Sequence, residues 1–368
     1  MKVLHVTYDM RIGGTEMVIK NIIEGNTDPD VTMSIFCIEK PLGPWGEDLQ
    51  NKAIAIHTLS RKEGFDFSVI RSLRETIKAN KIDIVHCHQY TPWVYGALAA
   101  IGTSAKTIFT EHGRFYPDSS SWKRRVVNPF LVQLTSDITA ISEATKQALC
   151  KYEFIPEKNI RVIYNGIKAL TSSPSRSSKV RLSLNITESH IVFGTIARLD
   201  PIKNHRMMIE AFKKVNLEFP DTKLLIVGDG EERGNIESQI KQLSLEKDVI
   251  LTGYIKNPSD HLECIDVFLL SSFSEGTSMT LLEAMSFSKP CIVTDAGGNR
   301  EIIKNKENGF VSENDNEFQF SQAMKCLLES PHLIKRFGEN GKLRFCENFV
   351  SGTMVENYKQ LYKKTLNR

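Results

Sequence analysis

The 368-residue chain has no long apolar run: residues 97–101 are typical of its uninterrupted apolar stretches, far short of the roughly 20 that a membrane span needs. The apolar start around Val3 is broken by His5, Thr7 and Asp9, so neither a span nor a secretory signal is read there and a cytoplasmic location is expected. Paired cysteines are missing too. The seven cysteines stand singly, without a Cys-x-x-Cys, mostly in apolar segments; they exclude a disulfide scaffold and read as reduced core residues. Excess charge is scarce. The net +3 lies wholly in residues 1–170, which hold 21 basic and 18 acidic side chains, too weak a bias for a nucleic-acid partner. Tandem repeats are absent, and 41% hydrophobic with 25% charged residues is ordinary for a globular protein with two domains' length.

What the chain does have is alternation. Residues 2–8 are β-branched and aromatic, Gly13-Gly14 breaks the pattern, and residues 15–23 carry helical apolar spacing at Val18, Ile19, Ile22 and Ile23. Strands follow at 31–38, 54–59, 82–87 and 107–110, with helices near 67–80 and over Ala97. Residues 169–180, with five serines, a proline and no periodicity, read as an exposed linker. Beyond it, strands at 191–197, 223–227, 249–252, 267–271 and 290–294 alternate with helices around 207–215, 235–243, 281–285 and 318–328. Strands separated by helices imply right-handed crossovers and parallel sheets, hence an α/β protein. The expected organisation is a Rossmann-like domain over 1–168, the linker, and a second such domain over 181–352. An amphipathic helix over 353–368, with Tyr358, Leu361 and Tyr362 on one side, is expected to pack back on the first. Doubly wound sheets bind ligands beyond the carboxyl ends of their strands, so the two domains are expected to face across a cleft lined by the motifs.

The most informative stretch runs from Ser271 to Met285, between a strand and a helix that starts near Ser278. Glu275 precedes that helix, and Glu283 lies about 7.5 Å further along it at 1.5 Å per residue. Unpaired N–H groups and the positive end of the helix dipole between them suit an anion such as a diphosphate, while each acid accepts hydroxyls. Hydroxyl, anion, hydroxyl is the order of a sugar, a diphosphate and a ribose. Arg198 and Lys203, in the turn after another strand, supply two cations to match two negative charges, one as a planar fork and one as a point charge.

These motifs resemble the nucleotide-sugar-dependent glycosyltransferases of the GT-B fold, specifically the retaining glycosyltransferase family 4 with its Glu-x7-Glu signature. The likeness spans nearly the whole chain: Gly13-Gly14, Thr110-Glu111-His112-Gly113, Ile141-Ser142, Asn165-Gly166-Ile167, Ala197-Arg198-Leu199 with Lys203, Val227-Gly228-Asp229-Gly230, Gly253-Tyr254, and Glu275 with Glu283. It implies that Glu283 binds the ribose, Arg198 and Lys203 the diphosphate, and Gly276, Thr277, Ser278 and Met279 the phosphate and sugar through backbone N–H groups. Glu275 would then hold the transferred sugar, Gly253 and Tyr254 meet the base, His112 approach the reacting carbon, and Gly13 with Gly14 admit the diphosphate. The implied reaction moves a hexose from a nucleoside diphosphate sugar, uridine favoured over guanosine, to a saccharide or lipid-linked saccharide with retention, in cell-surface polysaccharide or glycoconjugate assembly. No cofactor and no metal are expected. Arg114, Phe115, Tyr116 and Trp122 are the expected acceptor side, and Trp122-Lys123-Arg124-Arg125 could seat the protein on an anionic membrane at the inner face of the cell membrane. One departure is that Gly297-Gly298 is followed by Asn299 where the family often has proline.

Competing motifs are poorer. After Gly228-Asp229-Gly230 the third glycine is Gly234, one place late for a dinucleotide fingerprint, which argues against a nicotinamide enzyme. The segment from Gly338 to Lys342 lacks P-loop spacing and reads as a helix end, and Asp28-Pro29-Asp30, formally a metal-binding Asp-x-Asp, sits in a polar break. Two alternatives stay open: a non-hydrolysing nucleotide-sugar 2-epimerase of the same architecture, and a non-catalytic nucleotide-sugar-binding subunit.

Overall fold

The computed structural model describes residues 1–113 and 120–367, in two compact units. The first comprises Met1–Gly166 with Val350–Arg368, the second Ile167–Phe349. Seven strands build the first sheet: β1 (Lys2–Thr7), β2 (Thr32–Cys37), β3 (Ile56–Thr58), β4 (Ile84–His88), β5 (Lys106–Glu111), β6 (Asp137–Ala140) and β7 (Ile160–Val162), in the order β3-β2-β1-β4-β5-β6-β7. Six build the second: β8 (Ile191–Ile196), β9 (Thr222–Val227), β10 (Val249–Leu251), β11 (Val267–Leu270), β12 (Cys291–Thr294) and β13 (Gly309–Ser312), in the order β10-β9-β8-β11-β12-β13. All the paired strands run parallel.

Both faces of each sheet are covered by helices, which is why the strands read as apolar runs. The first core gathers Val6, Phe36, Leu73, Trp93, Phe109 and Ile138; the second gathers Phe193, Phe212, Leu224, Leu269, Ile292 and Phe320. The strand order reverses at β1/β4 in the first sheet and at β8/β11 in the second. Loops leaving such a strand pair diverge to opposite faces and open a crevice, the usual ligand position in this architecture.

The helix Ser351–Leu366 belongs to the first unit, as its apolar stripe predicts: Tyr358, Leu361 and Tyr362 are fully buried, and Leu361 alone contributes roughly 1.5–3 kcal/mol. Tyr362 meets His86 Nδ1 at 2.8 Å, and Thr365 donates to Asp137 at 2.8 Å.

Two expectations need correction. The serine-rich segment is no linker. Pro174–Ser183 is a helix with proline in its first turn, and Ser172 and the Ser173 N–H donate to Glu263 while Arg181 donates to the Cys264 carbonyl. The chain passes between units at Gly166-Ile167 and returns at Phe349-Val350, so the second unit begins before residue 181 and ends before 352. Serine density misled because the helix is short and mostly polar, held by side chains from elsewhere.

The second correction concerns Gly338 and Gly341, which lie inside the helix Pro331–Asn348 rather than at a helix end. A Cβ on Gly338 would stand 1.9 Å from the Ser288 carbonyl oxygen. The glycine is there for close packing of that helix on the chain after Met279–Ser286, not to stop the helix.

Candidate active site

In the second unit the loops after β8 and β11, the pair where the sheet reverses, are fastened together. Phe273 N–H donates to the Ile202 carbonyl at 2.8 Å, and Ser271 Oγ donates to the Lys203 carbonyl at 2.8 Å. At their junction Lys203 Nζ lies 2.7 Å from Glu275 Oε1, which also accepts from Ser272 Oγ at 2.6 Å. The side chain of Glu275 is 8% exposed and that of Lys203 22%, so the pair is largely withdrawn from water. Glu275's backbone is fixed as tightly. Gly298 N–H donates to its carbonyl, and Gly297 turns beneath it at φ +51°, where an added Cβ would be 1.7 Å from that oxygen.

Ser278 caps the helix Met279–Ser286 by accepting from Leu281 N–H, which leaves other first-turn N–H groups without intrahelical acceptors. Gly276, Thr277 and Met279 beside it are partly buried. Glu283, one turn in, has its carboxyl pushed up to about 7 by burial alone. A carboxyl near neutrality can accept from one hydroxyl and donate to another. Arg198 is set apart: its side chain is 78% exposed and its guanidinium is paired with Asp200 at 2.7 Å. Gly253, at φ +73°, accepts from Gly228 N–H, and the neighbouring Tyr254 is 62% exposed. Gly228 and Gly230 act sterically, since a Cβ on them would reach the Ala197 and Leu199 carbonyls at 1.9 and 2.3 Å; they let the next strand approach the turn that carries Arg198. A cavity of about 810 Å³ in the same unit is lined by Asp200, Glu210, Glu232, Asp315 and Glu317, and holds none of the predicted site residues. Its acidic wall is ill suited to a diphosphate.

In the first unit Gly13 precedes the helix Gly14–Gly25 after β1; a Cβ on it would meet Glu16 Oε2 at 2.3 Å, whereas Gly14 has open space. His112 follows β5, with its N–H on Glu111 Oε1 at 3.0 Å and its Nε2 2.8 Å from His88 Nδ1. Arg114, Phe115 and Tyr116 lie outside the described residues. Trp122 opens the helix Trp122–Gln133 and is 75% exposed, in one stripe with Val126 and Phe130 at 66% and 51%. Of the adjoining cations Arg124 turns inward, 2.7 Å from Glu153 and over the Tyr90 ring.

Two family profiles match the chain: "Glycosyltransferase Family 4" over residues 12–169 and "Glycosyl transferases group 1" over 176–344. The chain belongs to the family 4 glycosyltransferases and has the GT-B fold. It is 26% identical to the UDP-Gal:alpha-D-GlcNAc-diphosphoundecaprenol alpha-1,3-galactosyltransferase of Escherichia coli, over 98% of this chain and 96% of that one. It is 28% identical to the N-acetyl-alpha-D-glucosaminyl L-malate synthase of Bacillus anthracis, over 82% and 80%. Anabaena HepE, solved in complex with UDP, shares the fold with a TM-score of 0.88 at 21% identity, over 99% and 100%.

The glycosyltransferase structure thus brings together Lys203, Glu275 and the mouth of the Met279–Ser286 helix, and leaves Arg198 outside that hydrogen-bonded group. Sequence reading missed Ser272 as a partner of Glu275, and it missed His5, His86 and His88. The histidines were detectable: His86 and His88 alternate along a strand and so share one face of the sheet.

The Glu283 carboxyl generates a pH prediction. Held at about 7 when folded against 4.5 as an ordinary glutamate, it binds its proton more tightly in the native state, so its contribution is complete below 4.5 and lost as pH rises through 7. That contribution is up to roughly 3 kcal/mol. Glu16, raised to about 7 chiefly by burial, acts in the same window. The buried histidines His5, His86, His88, His112 and His205, held below their ordinary 6.5, pull the other way, because only the unfolded chain takes up their protons in this range. The part due to Glu283 is therefore the difference in urea-unfolding stability between the wild type and Glu283→Gln, which should fall as pH rises through 4.5 to 7; a difference that does not change with pH would contradict the burial of this carboxyl.

Proposed function

We propose that this glycosyltransferase moves a hexose from a nucleoside diphosphate donor, a uridine donor in preference to a guanosine one, to a hydroxyl of a saccharide or lipid-linked saccharide, with retention at the anomeric carbon. The observation that carries this reading is the Lys203–Glu275 pair at the mouth of the Met279–Ser286 helix. On this reading the diphosphate takes the N–H groups of residues 276–279 and draws Lys203 away from Glu275, which is then free to accept sugar hydroxyls. Arg198 swings from Asp200 to the phosphates, Glu283 holds the ribose, and Gly253-Tyr254 meets the base. Gly13-Gly14 and His112 are likewise assigned to donor contacts. Negative charge grows on the departing diphosphate, so Lys203 and the helix terminus stabilise the transition state more than the ground state, and no metal or cofactor is invoked.

A lipid-linked acceptor is supported by the E. coli relative, whose name carries diphosphoundecaprenol. Among the described residues no helix is long and apolar enough to cross a membrane. We propose instead that the exposed stripe of Trp122, Val126 and Phe130, with Lys123 and Arg125 beside it, rests on the anionic inner face of the cell membrane, where such lipids are glycosylated into surface polysaccharide or glycoconjugate.

Steady-state kinetics with a UDP-sugar should show turnover reduced about ten-fold or more in Glu275→Ala and in Lys203→Ala, a loss of at least roughly 1.4 kcal/mol of transition-state stabilisation in each; wild-type turnover in both would reject the site. The first product detected by NMR should keep the donor's anomeric configuration. Sedimentation with vesicles should recover the protein on anionic but not neutral lipid, and a Trp122→Ala, Phe130→Ala variant should stay in solution; absence of the wild-type protein from both pellets would remove the membrane reading.

A further inference from the structure

Three imidazoles in the first unit form a continuous row. His5 on β1 places Nδ1 3.0 Å from His88 Nε2 on β4, and His88 Nδ1 lies 2.8 Å from His112 Nε2 just past β5. The rings stack in sequence, with centroids 5.2 and 5.1 Å apart at 26° and 29°. Burial holds His5 and His112 down at about 3 and His88 well below its ordinary value. Each ring is therefore neutral near pH 7 and carries a single N–H.

Two hydrogen bonds between three neutral rings allow two proton orders. In one, His5 Nδ1–H donates to His88, His88 Nδ1–H donates to His112 Nε2, and His112 is left with a free Nδ1–H. In the other, each proton sits on the opposite nitrogen, and the unmatched N–H is Nε2 of His5. Among the described residues neither His5 Nε2 nor His112 Nδ1 has a partner. An N–H with no acceptor is the rarest kind of unsatisfied buried group, so its position decides the order. His5 is wholly buried in mid-strand, where no ligand can reach it. His112 Nδ1 is covered as well, but its residue keeps part of its surface exposed and stands just past β5 at the carboxyl end of the sheet, the edge where ligands bind in this architecture.

We propose that His5 and His88 are positioning residues that lock His112 in its Nδ1–H form, so that it donates a hydrogen bond to an oxygen of the transferred sugar. The proposal rests on the donor-site role given to His112 above. A ring nitrogen's proton is set by the bond its other nitrogen makes, and here that bond is anchored two residues deep in the sheet. His86 stands beside the row, its centroid 4.1 Å from His88, with its nitrogens occupied by Tyr362 OH at 2.8 Å and Thr110 Oγ1 at 2.7 Å. Ligand nitrogens of His5, His86 and His88 lie within 4.8 Å of one another, a spacing that a metal ion could use, but all except His5 Nε2 are engaged in these hydrogen bonds.

The test is a proton–nitrogen NMR spectrum of the full chain labelled with 15N-histidine, the His112 signal being assigned by its loss in His112→Ala. The wild-type protein should show Nδ1 protonated and Nε2 bare, a result that needs no variant to fold. His88→Phe should return His112 to the Nε2–H form preferred by a free side chain, and lower kcat about ten-fold while the donor KM changes less than about two-fold. An Nε2–H form of His112 in the wild type, or a divalent metal found by elemental analysis at one ion per chain, would overturn the relay. Full turnover in His112→Ala alongside the Nδ1–H form would support the relay and reject the donor-site role instead.

Discussion

A carboxylate withdrawn from water must have a cation or a hydrogen-bond donor against it, and Glu275 has both, in Lys203 and Ser272. Removing one partner from such a pair costs about 3–5 kcal/mol because the other charge is stranded, yet an apolar pair filling the same space is often at least as stable. Stability alone therefore does not account for the arrangement. An ammonium parked on a carboxylate keeps both groups ordered, and a second anion that arrives competes for the same ammonium. On the proposed reading, donor binding is such an exchange, which frees the carboxylate at the moment a sugar is present to use it.

The exchange depends on backbone that cannot drift. Lys203 and Glu275 come from loops after β8 and β11, adjacent strands whose connections leave on opposite faces, and hydrogen bonds from Phe273 and Ser271 tie the two loops. Gly297 gives Glu275 its floor, because only a residue without a side chain can turn left-handed against that carbonyl. The asparagine that follows the glycine pair does not loosen the turn: Asn299 is buried and donates to the Thr294 carbonyl at 3.1 Å. The first unit repeats the topology, with Gly13-Gly14 after β1, His88 closing β4 and His112 after β5, all at the carboxyl edge of the sheet.

Much of this was legible in the residues. Buried parallel strands such as Ile191–Ile196 and Cys291–Thr294 are apolar without interruption, and the helix Phe67–Asn80 repeats its buried face at Val69, Leu73 and Ile77. Short strands were harder: Ile160–Val162 and Gly309–Ser312 are partly exposed, and the four-residue interior strand Asp137–Ala140 opens on an acid, so little apolar pattern marks them. The helix Pro174–Ser183 was hidden by its serines, and Pro331–Asn348 by glycines whose purpose is contact with a distant carbonyl. For the site, charge types and spacing pointed to Lys203, Glu275 and Glu283. Spacing cannot tell which carboxylate a cation selects, and Arg198 with Asp200 two residues away forms its own local pair. The histidine row joins residues 83 and 24 positions apart, a relation that only the sheet order creates.

The most direct test of the central claim is a crystal structure of the full chain with UDP bound. The account predicts phosphate oxygens on the backbone N–H groups of residues 276–279, Lys203 Nζ moved from Glu275 to a phosphate, and the ribose on Glu283. A diphosphate seated elsewhere, with the Lys203–Glu275 pair intact, would contradict it.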